Sequence, residues 1–399
     1  PFFGFVGAVA AEADPRRTDL YVTSLEKLAG CPWQLFLGRL LRLEPTPDPL
    51  AALPGADPLL LGNLVHAALK RIVLSPLSLP TVETPRGASP PPPEVPAAAG
   101  DAPRGVSTVG DATDRAAAKL APMGPGGEVP WPASADLDRI LREEAERLLA
   151  EEGIFMMGLA RALAERARPL VDVAGEMDWG REGAALPVLR AEEPESLTVR
   201  DAAGDLRTIS FRADRVDRTP EGLRFTDYKT GRPISTARKP DVRRRHFLER
   251  VKQGTHLQAV AYLLAAGEPA TGRYLFLRPG LGEREDRELA VTPEDRDFAE
   301  GFAGAAAAVL GAWDAGSFFP RVVDPVGRDE PGRCSWCAVA EACVRGDSGA
   351  RLRLFEWTER AKSSADLDPA ESALLRVWRL AARGGREEAA PEVDGEAKD

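Results

Sequence analysis

The stretch TISFRADRVDRTPEGLRFTDYKTG, residues 208–231, decides how this chain is read. Ile209, Phe211 and Ala213 alternate with Ser210, Arg212 and Asp214, the period of a strand with one buried face. Thr219-Pro220-Glu221-Gly222 supplies turn chemistry, and Leu223, Phe225, Asp227 and Lys229 then share one face of a returning strand. The midpoint between Asp214 and Asp227 falls between Pro220 and Glu221, so a simple hairpin makes the two carboxylates cross-strand neighbours, about 4.5–5.5 Å apart at Cβ. Carboxylates so placed repel and raise each other's pKa unless a cation lies between them. Mg2+ or Mn2+ is the natural cation, since both prefer oxygen donors. Lys229 follows Asp227 by two residues and emerges on the same face, roughly 6.6–6.8 Å along. A bound metal acidifies water, and an ammonium nearby stabilises charge developing at phosphorus. The competing reading is a solvated hairpin face with ordinary ion pairs.

Working outward, strands are expected at 186–191, 196–200, 207–217, 222–229, 272–278 and 285–291. Helices are expected at 18–44 (broken at Cys31-Pro32), 61–74, from Ser134, at 154–175, 254–266 and 293–314. Helices, then mainly antiparallel strands, then a helix and further strands suggest an α/β layer fold. Residues 75–133 change character: they are rich in Pro, Ala, Gly and Ser, carry Pro90 to Pro93 in a row, and read as a disordered insertion. The chain then divides into a linker from an upstream region (1–17), an N-terminal helical part (18–74), the insertion (75–133), a core with a cysteine segment (134–347), C-terminal helices (348–384) and a disordered tail (385–399).

With 399 residues and 44% hydrophobic side chains, the chain can bury a sizeable core. A net charge of −10 argues against a protein that coats nucleic acid without specificity, but not against an enzyme with a local basic groove. Such a groove could draw on the Arg238–Arg245 stretch, with Lys239, Arg243 and Arg244, although a solvated loop explains those charges equally well. Beginning with Pro1, the sequence reads as a segment of a longer polypeptide. There is no apolar run of the roughly 18 residues a membrane span needs and no leader, so a cytoplasmic protein is expected. The absence of a G-x-x-x-x-G-K-[ST] loop argues against an ATPase.

Four cysteines complete the pattern: Cys334, Cys337 and Cys343 form Cys-x2-Cys-x5-Cys, and Cys31 lies 303 positions before the first of them. In a cytosolic chain such clustering points to metal ligation, and four thiolates suit either zinc or an iron–sulfur cluster.

Asp214 and, after the turn, Asp227-Tyr228-Lys229 resemble the core of the PD-(D/E)XK nuclease superfamily, specifically its RecB/AddB branch. Leu61-Gly-Asn-Leu-Val-His66 resembles the branch's upstream helical motif, and Gln258-Ala-Val-Ala-Tyr262 its downstream Gln-xxx-Tyr motif. The four cysteines resemble the iron–sulfur form of this domain. The likeness spans about residues 18–347 without the insertion, and departs from the family in lacking a Pro-Asp dipeptide and in having Phe211 at a usual Gly position. It implies a restriction-endonuclease-like mixed sheet flanked by helices, with the chain's two ends joined by a (4Fe-4S) cluster on Cys31, Cys334, Cys337 and Cys343. It also implies Mg2+ or Mn2+ on His66, Asp214, Asp227 and the Tyr228 carbonyl, with Lys229, Gln258 and Tyr262 serving catalysis. The implied activity is that of a deoxyribonuclease acting on DNA ends or single strands beside a helicase motor in double-strand-break repair. A catalytically inactive DNA-binding scaffold and a zinc-stabilised interaction module are the alternatives.

His66 also stands out on its own: it falls off the Leu61/Leu64/Val65/Ala68 stripe, on the polar face with Asn63 and Lys70. Gln258 and Tyr262, four apart, project side by side.

Overall fold

The hairpin at 208–231 forms, but its first strand is cut in two. A computed structural model describes residues 4–9, 14–44, 58–74, 128–180, 185–201, 204–324 and 329–382. The strands are β1 (Leu20–Tyr21), β2 (Glu128–Val129), β3 (Leu186–Arg190), β4 (Pro194–Arg200), β5 (Leu206–Arg212), β6 (Arg215–Thr219), β7 (Gly222–Lys229), β8 (Ala270–Phe276) and β9 (Glu288–Val291). A six-stranded sheet runs β2-β3-β6-β7-β8-β9 and a three-stranded sheet β1-β5-β4. The large sheet is mixed, because β7 and β8 are parallel while the other pairs are antiparallel.

The helices are α1 (Val22–Gly30), α2 (Pro32–Leu35), α3 (Pro58–Leu74), α4 (Ser134–Glu151), α5 (Leu159–Ala174), α6 (Pro240–Lys252), α7 (Gln258–Ala265), α8 (Arg284–Arg287), α9 (Arg296–Ala315), α10 (Ser348–Ala361) and α11 (Pro369–Ala382). Both faces of the large sheet are covered. Tyr228 and Leu275 point into a core with α3, α4 and α5, while Phe225, Tyr274 and Phe276 point into one with α1, α6, α7, α9 and α11. Strand alternation assigns successive residues of β7 and β8 to opposite cores. The α3 stripe of Leu64, Val65, Leu69 and Ile72 is at most 3% exposed, and each such side chain contributes about 1.5–3 kcal/mol by burial. No helix among the described residues is long and apolar enough to cross a membrane.

The expected strand 207–217 is β5 and β6, which belong to different sheets. Burial alternates as far as Asp214, where the chain bends, and Arg215, Val216 and Asp217 are then buried in succession. Of the basic stretch 238–245, the residues from Pro240 onward begin α6, with the proline at its first turn. Residues 285–287, expected as the start of a strand, belong to α8. Inside the expected insertion boundary at 133, Glu128–Val129 pairs with β3 and Trp131 packs on Trp179, rings 4.8 Å apart. Residues 75–127 and 383–399 lie outside the described residues. Within the expected linker, Phe5 bridges Ser317 and the buried Arg16 donates to the Gly7 and Trp313 carbonyls, its charge met by Asp14. Phe5 and Arg16 are thereby held at the end of α9.

Candidate active site

The site lies at a corner where two antiparallel strands change sheets together. β3 pairs with β6 in the large sheet and β4 with β5 in the small one, so the chain crosses between sheets near Glu192 and again at Ala213-Asp214. Continuing the register of either ladder (Arg190↔Val216, Pro194↔Arg212) sets Glu192 opposite Asp214. The Glu192 amide donates to the Ala213 carbonyl at 3.0 Å, and Glu192 adopts the left-handed backbone, φ 58°. On the other side, the β6–β7 register (Arg215↔Thr226) continues to Asp214 opposite Asp227, as the turn at Pro220-Glu221 predicted. Asp214 is therefore flanked by a carboxylate on each side.

His66 reaches the corner from α3, its Nδ1 3.1 Å from Asp214 Oδ1. Ligand atoms of His66, Glu192 and Asp214 all lie within 4.8 Å of one another. Asp214 Oδ2 accepts the Tyr228 amide at 2.6 Å. The Lys229 carbonyl accepts from Leu277 on the β8 side, so strand alternation turns the Tyr228 carbonyl the opposite way, toward Asp214. The Tyr228 ring goes below the sheet, where its hydroxyl meets Arg215 and lies 3.3 Å from Asp178. Burial opposes ionisation of Asp178, but Arg273 and Arg215 hold its carboxyl well below the usual range. This buried ionic set anchors the strand that carries Asp227 and Lys229.

Above the sheet a chain of contacts links Asp227 to α7. Lys229 Nζ is 2.6 Å from Asp227 Oδ2 and donates to Gln258 Oε1 at 3.1 Å. Gln258 Nε2 donates to the Tyr262 hydroxyl at 3.3 Å, and that hydroxyl lies 3.2 Å from Asp227 Oδ1. The i,i+4 pair thus acts on one carboxylate–ammonium couple. α7 can approach so closely because β8 carries glycine beneath it: a Cβ on Gly272 would lie 1.8 Å from the Ala259 carbonyl oxygen.

The electrostatics are those of a cation site. Burial alone would lower the His66 pKa, but Asp214, with Asp227 behind it, holds the imidazole up at about 9. Burial and then Asp214 raise Glu192. Asp227 is raised by burial against the pull of Lys229, with Asp214 adding to the rise. Burial opposes the charge of Lys229, yet Asp227 keeps it raised. Glu26 of α1, whose carboxylate accepts the Leu257 amide at 2.6 Å, is pushed up to about 7 by burial.

The sequence pattern of the PD-(D/E)XK nuclease superfamily matches residues 20–344. The chain belongs to the PD-(D/E)XK nuclease superfamily. Among solved structures, one titled "Crystal structure of SSO0001" is similar over 51% of this chain and 82% of its own, at 17% identity and a TM-score of 0.24. No curated protein matches.

PD-(D/E)XK nucleases are metal-dependent hydrolases, and the residues at the corner fit a divalent ion. One imidazole and the carboxylates around it form a hard, anionic donor set. Asp227 Oδ2, buried, has the Lys229 ammonium as an ion-pair neighbour but no aligned hydrogen bond, so a lone pair is left for a cation.

The expected residues His66, Asp214, Asp227, Tyr228, Lys229, Gln258 and Tyr262 all come together. Glu192 escaped the sequence reading. Its one signal was the pairing count between the strand at 186–190 and the residues after Asp214. The basic stretch divides: Arg243 is buried and donates to the Ala237, Arg238 and Glu285 carbonyls, and Arg244 pairs with Asp295 and Asp297. The Arg243 guanidinium is thus committed to the fold, while that of Arg244 stays at the surface in ion pairs.

All four cysteines are free and line one pocket with Arg321 and Arg345. The Arg321 amide lies 3.5 Å from Cys31 Sγ, and Cys334 Sγ lies 3.9 Å from the Arg321 carbonyl. Burial, then neighbouring Cys31, pushes the Cys334 thiol up to about 11.

Proposed function

We propose that this chain hydrolyses DNA phosphodiester bonds with Mg2+ or Mn2+ held by His66, Asp214, Asp227 and the Tyr228 carbonyl, with Glu192 as a further donor. The observation that carries the reading is the meeting of His66, Glu192 and Asp214 beside the Asp227–Lys229 couple. When bound, the ion polarises a phosphate oxygen and lowers the pKa of water. Lys229 keeps its proton and stabilises the negative charge that grows on the phosphorane. Gln258 holds the Lys229 ammonium by its amide oxygen, and Tyr262 holds the far oxygen of Asp227, so neither group swings away when the strand enters.

The four-cysteine pocket supports a (4Fe-4S) cluster on Cys31, Cys334, Cys337 and Cys343, tying the first helix to the C-terminal segment. Four thiolates also suit tetrahedral zinc, and metal analysis with the visible absorption of anaerobically purified protein separates the two. The resemblance to the RecB/AddB branch supports an exonuclease of double-strand-break repair in the cytoplasm, fed by a helicase motor in the same polypeptide or a partner, since this sequence carries no phosphate-binding loop. Cleavage of end-labelled single- and double-stranded DNA with Mg2+, with and without EDTA, tests the activity. Asp227→Ala and Lys229→Ala should abolish cleavage with circular dichroism unchanged, and full activity in either refutes the site.

A further inference from the structure

Helix α1 has no part in the chemistry above, yet one of its side chains reaches the edge of the site. Leu25, Leu28 and Ala29 are buried in the core, and Glu26 beside them is partly buried. Its Oε1 accepts the Leu257 amide at 2.6 Å, a contact between residues 231 positions apart. Leu257 immediately precedes Gln258, the first residue of α7. His256, just before it, holds φ at 55°, a left-handed backbone that a residue with a side chain keeps only where its surroundings over-determine it. The His256 side chain does little of this, for its Nδ1 is buried without a hydrogen-bond partner. Its ring stands edge-on to Tyr274 at 5.9 Å, the same ring over which Lys229 Nζ sits at 5.2 Å. A turn that carries strain is thus held, at its exit, by a carboxylate from another element.

The far end of α1 leads directly to the cysteine pocket, whose lining begins at Cys31. Ala29 offers its carbonyl to Arg321, a Cβ on Gly30 would strike the Arg333 guanidinium at 2.1 Å, and Cys31 follows directly. One rigid helix of nine residues therefore spans from the thiols to the Leu257 amide.

We infer that Glu26 is a positioning residue for the nuclease lysine. By holding the Leu257 amide it fixes the strained His256 turn and the start of α7 where Gln258 reaches Lys229, and it ties that placement to the cysteine-lined end of α1. The inference rests on the nuclease reading for what Lys229 does. Glutamine at position 26 keeps an acceptor oxygen of the same reach, alanine removes it, and aspartate keeps the charge but falls short of the amide.

The test uses the full chain. Glu26→Gln, Glu26→Ala, Gln258→Ala and the double variant Glu26→Ala/Gln258→Ala are compared for Mg2+-dependent cleavage of single-stranded DNA and for amide hydrogen exchange over Leu257–Val260. Glu26→Ala should lower kcat about tenfold with KM within about twofold, and Glu26→Gln should stay within about threefold of the parent. The double variant should be no slower than Gln258→Ala, because both changes break one chain of contacts. Parental kcat in Glu26→Ala, or multiplying losses in the double variant, overturns the proposal. Where Glu26→Ala does not fold, Glu26→Asp takes its place with the same kcat loss expected, and parental kcat there overturns it. If the parent chain does not cleave DNA, the nuclease reading falls by itself and exchange decides for Glu26. Faster exchange at Leu257–Val260 in Glu26→Ala but not in Glu26→Gln, with α9 unchanged, upholds the clamp; unchanged exchange removes it.

Discussion

Raising the pH from 7 to 8 should tighten Mn2+ binding about tenfold, because a proton and the metal compete for His66. Burial works against the imidazolium, but Asp214 at 3.1 Å and Asp227 beyond it hold its pKa at about 9. About one molecule in a hundred then carries a neutral imidazole at pH 7 and about one in ten at pH 8. A ligand imidazole must be neutral, so the apparent Kd follows that fraction, a gain of about 1.4 kcal/mol. A histidine at its ordinary pKa of about 6.5 would change the affinity by only about 1.3-fold over the same interval. The measurement is Mn2+ titration of EDTA-stripped protein at fixed ionic strength, followed by the electron paramagnetic resonance of the free ion. His66→Asn should bind more weakly and lose most of the pH slope. A parent Kd that shifts less than about twofold between pH 7 and 8 refutes the claim that His66 is a proton-loaded ligand.

The same shift has the opposite sign for the metal-free fold. A folded-state pKa above the unfolded one stabilises fully below about 6.5 and is lost as pH rises through about 9, so the melting temperature of stripped protein should fall across that window. Glu192→Gln should weaken Mn2+ binding about tenfold or more at pH 8 while leaving circular dichroism intact, and an unchanged Kd removes Glu192 from the donor set. Gly272→Ala puts a methyl 1.8 Å from the Ala259 carbonyl oxygen. It should cost about 1–3 kcal/mol in urea unfolding and lower kcat by shifting Gln258.

The hairpin was legible because a two-residue turn leaves one register, and that register sets Asp214 against Asp227. His66 was legible as a polar residue beside an apolar stripe, and Gln258 with Tyr262 as an i,i+4 pair. Glu192 was not, because Ala191-Glu-Glu-Pro194 shows no alternation and its importance comes from a change of sheet. Alternation records which way a side chain points and says nothing of which sheet its strand joins, so β5 and β6 read as one strand. α6 was missed for a similar reason. Arg243, Phe247 and Val251 make its buried stripe, and an arginine in that stripe disguises the period. Cysteine spacing suggested a shared ligand, but only the fold brings Cys31 beside a segment 303 positions away.

Glu192 occupies a backbone conformation that glycine or asparagine takes at lower cost, and a side chain held there forfeits about 1–3 kcal/mol. Selection for durability alone would replace it. Glu192→Gly should therefore yield a hardier protein that grips its ion poorly, and relatives released from cutting DNA are where that exchange would surface first.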